Sequence, residues 1–533
     1  MAATPQPPTD PATPPRSRLL GAAGVVSFFT MLSRVLGLLR DIVIANTFGA
    51  SAATDAFFVA FRIPNFLRRL FAEGAFAQAF VPVLSEYRVK GPHQAVQDLV
   101  DRVAGRLGFI LLLVTAFGMV AAPLIIGLFA PGFIDDGHKF DLAADMLRIT
   151  FPYLLLISLT AFAGGILNTY GRFGVPAVTP VLLNLSMIGA ALCLTGYMPA
   201  GEEIKALAWG VFIAGVLQLG FQLPWLARIN LLPRPRKARG HEGVRRILTL
   251  MAPALFGVSV TQINLLVDTV IASFLITGSV TWLYTAERLT ELPLGVIGIA
   301  IGTVILPSLS EKHVNKSPEE FSRTLDWGLR LTLLVGLPAA LAIGLMATPL
   351  MQALFQHGDF TAQDARMAAM ALQAYALGIM CFMLVKVLAP GYFARQDMKT
   401  PVKYGIWTLV ANMVLNGLLV GGLWLTELAP LHLGLALASS LAAMLNVWWL
   451  YGGLRRSGAF VPQPGWRRFW LQLAAANLAL GLLVWWLCGV FRADFLGTVW
   501  ERAGSLGVVV AAGMALYFLI LLATGLRPRH LRH

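Results

Sequence analysis

Long apolar segments fill most of this chain and restrict it to folds that a membrane can accommodate. About fourteen of them are long enough to cross a hydrocarbon core of roughly 30 Å as helices. Of the 533 residues, 57% are hydrophobic and only 13% are charged, unlike a soluble globular protein. We therefore predict an all-α polytopic membrane protein. The predicted spans are 20–46, 54–87, 103–129, 147–168, 176–196, 204–227, 247–276, 280–309, 324–347, 365–393, 402–425, 431–454, 466–487 and 500–522.

Lysine and arginine alternate between rich and poor loops along the chain. The segment 228–246 is strongly basic, whereas 48–53 and 277–279 contain no basic residue. Basic loops of membrane proteins lie on the cytoplasmic side, so we predict that both termini are cytoplasmic. An even number of spans agrees with this. The same loops account for the net charge of +14, so no nucleic-acid partner is expected.

Charged residues interrupt the apolar stretch between Ser33 and Glu86. Each charge at a helix centre costs roughly 2.5–3.5 kcal/mol, so these residues cannot face lipid. In the first helix, Ser33, Arg34, Arg40 and Asp41 fall within an arc of about 120°, which indicates a protein interior or a watery cavity. In the second helix Pro64 predicts a kink, and the spacing leaves open which later charges face inward. The charges are Arg34, Arg40, Asp41, Asp55, Arg62, Arg68, Arg69 and Glu73.

A second stretch, 267–311, repeats the first at an offset of about 226 residues. Asp268 matches Asp41, Arg288 matches Arg62, and both stretches end in Leu-Ser-Glu. Six spans per copy give both copies the same membrane orientation, with an axis along the membrane normal. The predicted domains are a disordered tail 1–18, a first lobe 19–230, a basic cytoplasmic linker 231–246, a second lobe 247–456, two more helices in 457–525, and a basic tail 526–533.

Enzymatic motifs are missing from the sequence. There is no nucleotide-binding P-loop, no zinc-binding HExxH and no GxSxG. Cys193, Cys381 and Cys488 stand singly in apolar segments, without disulfide or metal spacing. We therefore expect no enzyme activity. The buried charges allow two interpretations: an arginine-lined cavity for an anion such as phosphate, or internal salt bridges between nearly equal numbers of acids and bases.

Four motifs resemble the MurJ/MviN family of bacterial lipid II flippases, in the multidrug/oligosaccharidyl-lipid/polysaccharide exporter superfamily. They are SRVLGLLRD at 33–41, the long run at 53–87, ILNTYGRFGVPAVTPVLLN at 166–184 and APGYFARQDMKTPVK at 389–403. The resemblance covers nearly the whole chain after the tail. It implies two six-helix lobes with two extra C-terminal helices in the inner membrane. It also implies alternating-access transport of lipid II, the undecaprenyl-diphosphate-linked disaccharide-pentapeptide, to the periplasmic leaflet for cell-wall synthesis and cell shape.

The resemblance also assigns partners and a driving force. Lipid II and membrane lipids are the implied ligands, and the wall-synthesis machinery is a candidate partner. No cofactor is implied, and the drive is the membrane potential or an ion gradient. The alternatives are a flippase for another undecaprenyl-diphosphate glycan and a drug/cation antiporter of the same fold.

Site residues follow from the resemblance position by position, and it selects Arg68 over Arg69. A sodium site, present in some members, would use Asp268, Asn412 and Asn416. Those members have a carboxylate at the last of these positions, so this chain would offer one negative charge instead of two. The implied cavity residues are Arg34, Arg40, Arg68, Arg288, Ser33, Asp41, Asp55, Asn65 and Glu291.

Overall fold

The computed structural model describes residues 16–70, 76–237, 240–314 and 317–526, and every regular element in these ranges is helical. Glu73, most of the N-terminal tail and the last residues of the C-terminal tail lie outside the described residues. The helices are α1 Arg16–Phe48, α2 Ala52–Arg68, α3 Ala77–Lys90, α4 His93–Val120, α5 Ala122–Phe129, α6 Gly137–Thr150, α7 Pro152–Thr169, α8 Gly174–Gly189, α9 Lys205–Arg228, α10 Glu242–Ser273, α11 Ser279–Val314, α12 Pro318–Leu345, α13 Ala347–Phe355, α14 Ala362–Phe393, α15 Lys399–Thr426, α16 His432–Arg456, α17 Trp466–Val490 and α18 Val499–Ala523.

Ten helical stretches of the described chain are long and apolar enough to cross a membrane. They correspond to ten of the predicted spans. The other four predicted spans are also helical, as α1, α2 with α3, α10 and α11, and they carry the charged stretches. The prediction of an all-α polytopic protein is confirmed.

Several helix ends differ from the predicted ones. Helix α4 begins at His93, before the predicted span at 103. Helix α6 begins at Gly137, inside a predicted loop, because the Asp136 side chain accepts a hydrogen bond from Lys139 N at 3.1 Å and caps the helix. Pro64 lies within α2, which continues to Arg68 and is followed by a π-helical turn.

Two halves of the chain pack in the same way. In the first lobe (α1–α9), α1 packs on α8, α2 on α6, and α7 and α8 on α9. In the second lobe (α10–α16), α10 packs on α15, α11 on α14, and α14 and α15 on α16. The sequence repeat is therefore a structural repeat. The C-terminal pair α17 and α18 packs on α12 and α13 of the second lobe. The predicted domain boundaries stay a prediction.

Glycines bring the two lobes into close backbone contact at the end of the molecule where α1 and α10 terminate. Gly132 N donates a hydrogen bond to Ser273 Oγ at 3.1 Å, and a Cβ on Gly132 would overlap the Ser273 carbonyl oxygen. Asp359 N donates to Asn46 O at 3.0 Å, and a Cβ on Gly358 would overlap that same Asn46 oxygen. Gly132 and Gly358 are separated by the repeat offset, so the repeat relates the two contacts. We call this pair of contacts the glycine seam.

Opening of the seam can be tested with Gly358→Ala. Gly358 has a positive φ of 54°, so alanine adds left-handed strain of about 1–2 kcal/mol to the steric overlap. With Ser273→Cys as reporter, in a background lacking Cys193 and Cys488, we expect a membrane-impermeant maleimide to label the buried reporter about tenfold faster. The control is Gly196→Ala, since nothing lies within 4 Å of a Cβ at Gly196. Equal labelling in both variants would contradict a seam that holds the lobes together.

Candidate functional site

A cavity of about 470 Å³ lies between the lobes. Its wall comes from α1, α2 and α8 of the first lobe and from α10 and α11 of the second. Arginines outnumber carboxylates on this wall, so acids and bases are not balanced there. Neutral polar groups complete it. The charged wall residues are Arg34, Arg40, Arg62, Arg68, Arg69, Arg288, Glu287 and Glu291, and the neutral polar ones include Ser33, Asn65, Asn184 and Tyr284.

Asp41 lies beneath this wall and joins the lobes. Its side chain is buried, and Oδ1 accepts from Arg40 Nε at 2.9 Å and Nη2 at 2.6 Å. Its Oδ2 accepts from Arg288 Nε at 2.7 Å across the lobe interface. Asn184 Oδ1 accepts from Arg40 Nη1 at 3.1 Å, and Asn184 Nδ2 donates to Ser33 O at 2.9 Å. The interpretation as internal salt bridges therefore holds for Arg40 and Arg288. Their ion pairs with Asp41 fix the positions of the two guanidinium groups.

Tyr284 and Asn184 are polar cavity residues that the sequence prediction missed. The Tyr284 hydroxyl accepts from Arg40 Nη2 at 3.1 Å, and its ring stacks on Phe58 with centroids 3.9 Å apart. Tyr284 stands one turn before Arg288, which is the one signal that places it on the same face. Asn184 is a single amide in an apolar run, and nothing in its local pattern separates it from a core residue.

Arg62 mirrors Arg288 in the repeat. Its Nη1 donates to Thr269 Oγ1 at 2.8 Å, and its Nη2 lies 3.2 Å from Glu287 Oε2. Arg288 reaches from the second lobe into the first, while Arg62 reaches from the first lobe into the second, next to Asp268. The spacing left the direction of Arg62 and Arg69 open, and the structure places both on the cavity wall.

Arg34 differs from Arg40 and Arg288 in its partners. Within the described residues no carboxylate pairs with it, and its closest hydrogen-bond acceptor is the Glu291 carbonyl at 3.4 Å from Nη1. Its Nε is buried without a hydrogen-bond partner in that part of the chain. The guanidinium lies against Gly295, where any side chain would overlap it. A partly buried cation with unused donors is costly unless an anion meets it.

Arg68 and Asn65 lie on α2, one turn apart. Arg68 Nε donates to Asn65 Oδ1 at 3.2 Å, and Asn65 Nδ2 donates to the Phe61 carbonyl at 3.2 Å. Both side chains line the cavity, as does Arg69. The structure thus brings Ser33, Arg34, Arg40, Asn65, Arg68, Arg288 and Glu291 to one wall, while their role toward a substrate stays a prediction.

Asp55 does not line this cavity, contrary to the prediction. It is 1% exposed, its Oδ2 lies 3.1 Å from Lys139 Nζ, and it accepts from Gly278 N at 2.8 Å and Thr281 N at 3.0 Å. It therefore fixes the start of α11 beside the glycine seam. Asp55 shares a helix face with Arg62, but it lies two turns nearer the start of α2. Periodicity gives the direction of a side chain and not its depth.

Asp268, Asn412 and Asn416 meet in the second lobe, as the resemblance implied. Asp268 Oδ1 accepts from Asn412 Nδ2 at 3.0 Å and from Asn416 Nδ2 at 2.8 Å. Asp268 Oδ2 accepts from Ser439 Oγ at 3.3 Å, and Asn412 Nδ2 also reaches Asn264 Oδ1 at 2.8 Å. Among described residues, the amide oxygens of Asn412 and Asn416 are buried without partners. In this arrangement the amide nitrogens, and not the oxygens, face the carboxylate of Asp268.

The fold and the cavity define a two-lobed membrane transporter. The sequence matches the family Lipid II flippase MurJ over residues 44–500, so the chain belongs to that family. It is 46% identical over 528 residues to the probable lipid II flippase MurJ of Vibrio cholerae, which covers 97% of this chain and 98% of that protein. It is 46% identical over 468 residues to the lipid II flippase MurJ of Burkholderia cenocepacia, covering 87% and 89%.

Solved structures agree with this assignment. A lipid II flippase MurJ in an inward closed conformation superposes with a TM-score of 0.75 at 27% identity, covering 93% of this chain and 97% of that one. An inward-facing multidrug resistance MATE family transporter of the MOP superfamily superposes with a TM-score of 0.63 at 16% identity, covering 82% and 98%. The second likeness concerns the fold alone.

The link between Asp41 and Arg288 can be tested by a double-mutant cycle. We expect Asp41→Asn to lower the free energy of unfolding by about 3–5 kcal/mol, because it leaves the buried guanidinium of Arg40 and the partly buried one of Arg288 without their shared carboxylate. Adding Arg288→Gln should cost less than the sum of the single changes. The measurement is thermal unfolding in nanodiscs. Arg148→Gln, in an exposed ion pair with Asp145, is the control and should cost below about 1 kcal/mol. Additive losses would contradict the link.

Proposed function

We propose that this protein moves lipid II from the cytoplasmic to the periplasmic leaflet of a bacterial inner membrane, as a transporter and not as an enzyme. The observation that carries the proposal is the excess of arginines on the cavity wall, with Arg34 lacking a carboxylate partner among the described residues. A diphosphate has multiple anionic oxygens, and guanidinium binds such groups in a bidentate way. The isoprenoid chain would stay in lipid while the glycan head occupies the cavity.

Alternating access is the mechanism that we propose for this transport. We assign residues 19–230 and 247–456 to two bodies that rock about the cavity, closed here at the glycine seam. Arg288 would exchange Asp41 and Glu291, its partners at 2.7 and 2.8 Å, for the substrate diphosphate. That exchange weakens the ion pair between the lobes and allows the seam to open. Substrate binding and opening are thereby coupled through one side chain.

Orientation and drive form a second part of the proposal. With both termini in the cytoplasm, the seam faces the periplasm. An inside-negative potential then favours outward movement of an anion by roughly 2.3 kcal/mol per charge per 100 mV. The wall-synthesis machinery that uses lipid II outside the membrane is the proposed class of protein partner.

A sodium ion is the proposed coupling ion. Asp268 would supply the charge, and the amide oxygens of Asn412 and Asn416, which lack partners among the described residues, would complete the ligand set. Bound sodium would neutralise the Asp268 carboxylate in the second lobe. Sodium binding and release would thereby link the ion gradient to movement of that lobe.

The two alternative functions place different demands on the cavity wall. A flippase for another undecaprenyl-diphosphate glycan would use the same arginines, since they would contact the diphosphate. A drug/cation antiporter of this fold would need carboxylates on the wall, whereas Glu287 and Glu291 both pair with arginines.

Replacement of Arg34 tests the proposal directly. We expect Arg34→Ala to lower lipid II transport more than tenfold, because it removes the guanidinium without a carboxylate partner, while membrane insertion is retained. Transport is measured in cells depleted of the wild-type protein, by cleavage of lipid II with an enzyme that acts only from outside. Arg323→Ala, an exposed arginine near the start of α12, is the control. Normal cleavage with Arg34→Ala would count against the arginine cavity, and normal cleavage after depletion alone would count against the substrate.

Sodium coupling predicts a dependence on the ion itself. In proteoliposomes, we expect replacement of sodium by choline to slow wild-type transport several-fold. Asp268→Asn should be slow in both media, because it removes the one charge of the site. Asn416→Asp should lower the sodium concentration needed for half-maximal transport, since a second carboxylate strengthens cation binding. A wild-type rate that is the same in sodium and choline would overturn this part of the proposal.

A further inference from the structure

A second cavity, of about 860 Å³, lies away from the interlobe cavity, where the linker crosses α4 and meets the start of α10. Cations dominate its charged wall, with Glu242 as the one lining carboxylate among the described residues. We call it the linker pocket. Its cationic wall residues are Arg106, Arg236, Lys237 and Arg245.

Backbone contacts hold the linker against α4. Arg236 N donates to the Asp101 carbonyl at 3.0 Å, and Arg234 N donates to Asp101 Oδ1 at 2.8 Å. Asp101 is 1% exposed. At Gly105 a Cβ would overlap the Arg236 carbonyl oxygen, so the linker passes directly over this glycine. These contacts fix the linker against α4, so the cations of the linker have defined positions in the pocket.

Three of the four cations have no carboxylate partner among the residues that the structure describes. Arg236 lies 3.6 Å from Asp101, whereas Arg106, Lys237 and Arg245 have no ion pair within the described residues. His241 adds no charge at neutral pH, since burial lowers its pKa despite the nearby Asp98. The pocket thus presents unneutralised positive charge to a ligand that supplies anionic oxygens.

An apolar slot continues from the linker pocket into the membrane-spanning part. The two share Arg106, Val244 and Leu248. The slot lies between α4, α7 and α10, and its wall includes Leu111, Leu154 and Met251. Arg106 and Arg245 lie at the predicted ends of the spans 103–129 and 247–276, which is the depth of lipid headgroups. The cationic linker pocket matches the phosphate headgroup of a phospholipid, and the apolar slot matches its acyl region.

We propose that the linker pocket binds an anionic phospholipid, with its phosphate among Arg106, Lys237 and Arg245 and the headgroup-proximal part of one acyl chain in the slot, whose volume is about 110 Å³. Basic pockets between membrane helices on the cytoplasmic side are suited to such headgroups. The lipid would join α4 of the first lobe to α10 of the second, at the opposite end of the lobes from the glycine seam. This site goes beyond the proposed function and does not depend on the transported substrate.

Lipid retention by the full-length protein tests the site. The protein is placed in nanodiscs of phosphatidylethanolamine with one fifth phosphatidylglycerol, released, and analysed by native mass spectrometry. We expect wild type to retain phosphatidylglycerol in preference to phosphatidylethanolamine. The double variant Arg106→Gln/Arg245→Gln should retain about thirtyfold less, because it removes two cations near the surface and each contributes about 1 kcal/mol. Arg323→Gln, an exposed arginine on the same predicted side, should match wild type.

A second pair of variants separates headgroup binding from folding defects. Leu248→Glu places a negative charge where the pocket meets the slot and should abolish the preference, whereas Leu250→Glu, 44% exposed and outside both cavities, should not. Inorganic phosphate at 10 mM should fail to displace the lipid, since it lacks the chain. Displacement of the lipid by inorganic phosphate would indicate that the pocket is a site for free anions, and it would overturn the proposal. Equal retention by Arg106→Gln/Arg245→Gln and wild type would also overturn it.

Discussion

The burial of guanidinium charge between two apolar lobes is the constraint on which this structure depends. A charge in a membrane interior is costly unless a partner meets it. Asp41 meets two arginines at once, one from each lobe, at 2.6 and 2.7 Å. The lobes therefore pack around a charge cluster in which the first lobe supplies Arg40 and Asp41 and the second lobe supplies Arg288. The arginines left over line the cavity, and a diphosphate is the kind of ligand that would complete them.

The repeat explains how the cavity obtained its charges and where the lobes diverged. Arg62 and Arg288 cross the interface in opposite directions, from equivalent helices. Their equivalent carboxylates have different partners: Asp41 accepts from arginines, while Asp268 accepts from the amides of Asn412 and Asn416. In one copy of the motif the carboxylate therefore binds guanidinium groups, and in the other it accepts hydrogen bonds from amides. The two equivalent carboxylates of the repeat thus have different kinds of donor.

Much of this organisation could be predicted from the sequence, for identifiable reasons. The arc of Ser33, Arg34 and Arg40 was predicted correctly because helical periodicity fixes direction. The repeat predicted the matching helix packing, since helices with similar sequences bury equivalent faces. Asp55 was misplaced because depth along a helix depends on tertiary packing. Asn184 and Tyr284 were missed because a single polar residue in an apolar run has no periodic partner, and only the fold brings them to the arginines.

The glycine seam has a consequence for the origin of the chain. The loop glycine of each lobe touches the end of the first helix of the other lobe, so the two contacts exchange under the repeat. This reciprocity is the property of an isologous dimer interface, in which one patch meets itself across a two-fold axis. A half-length ancestor of six membrane spans would have formed the same seam as a homodimer in the membrane. Fusion of two such copies, with the linker joining them, would have freed each lobe to specialise its carboxylate.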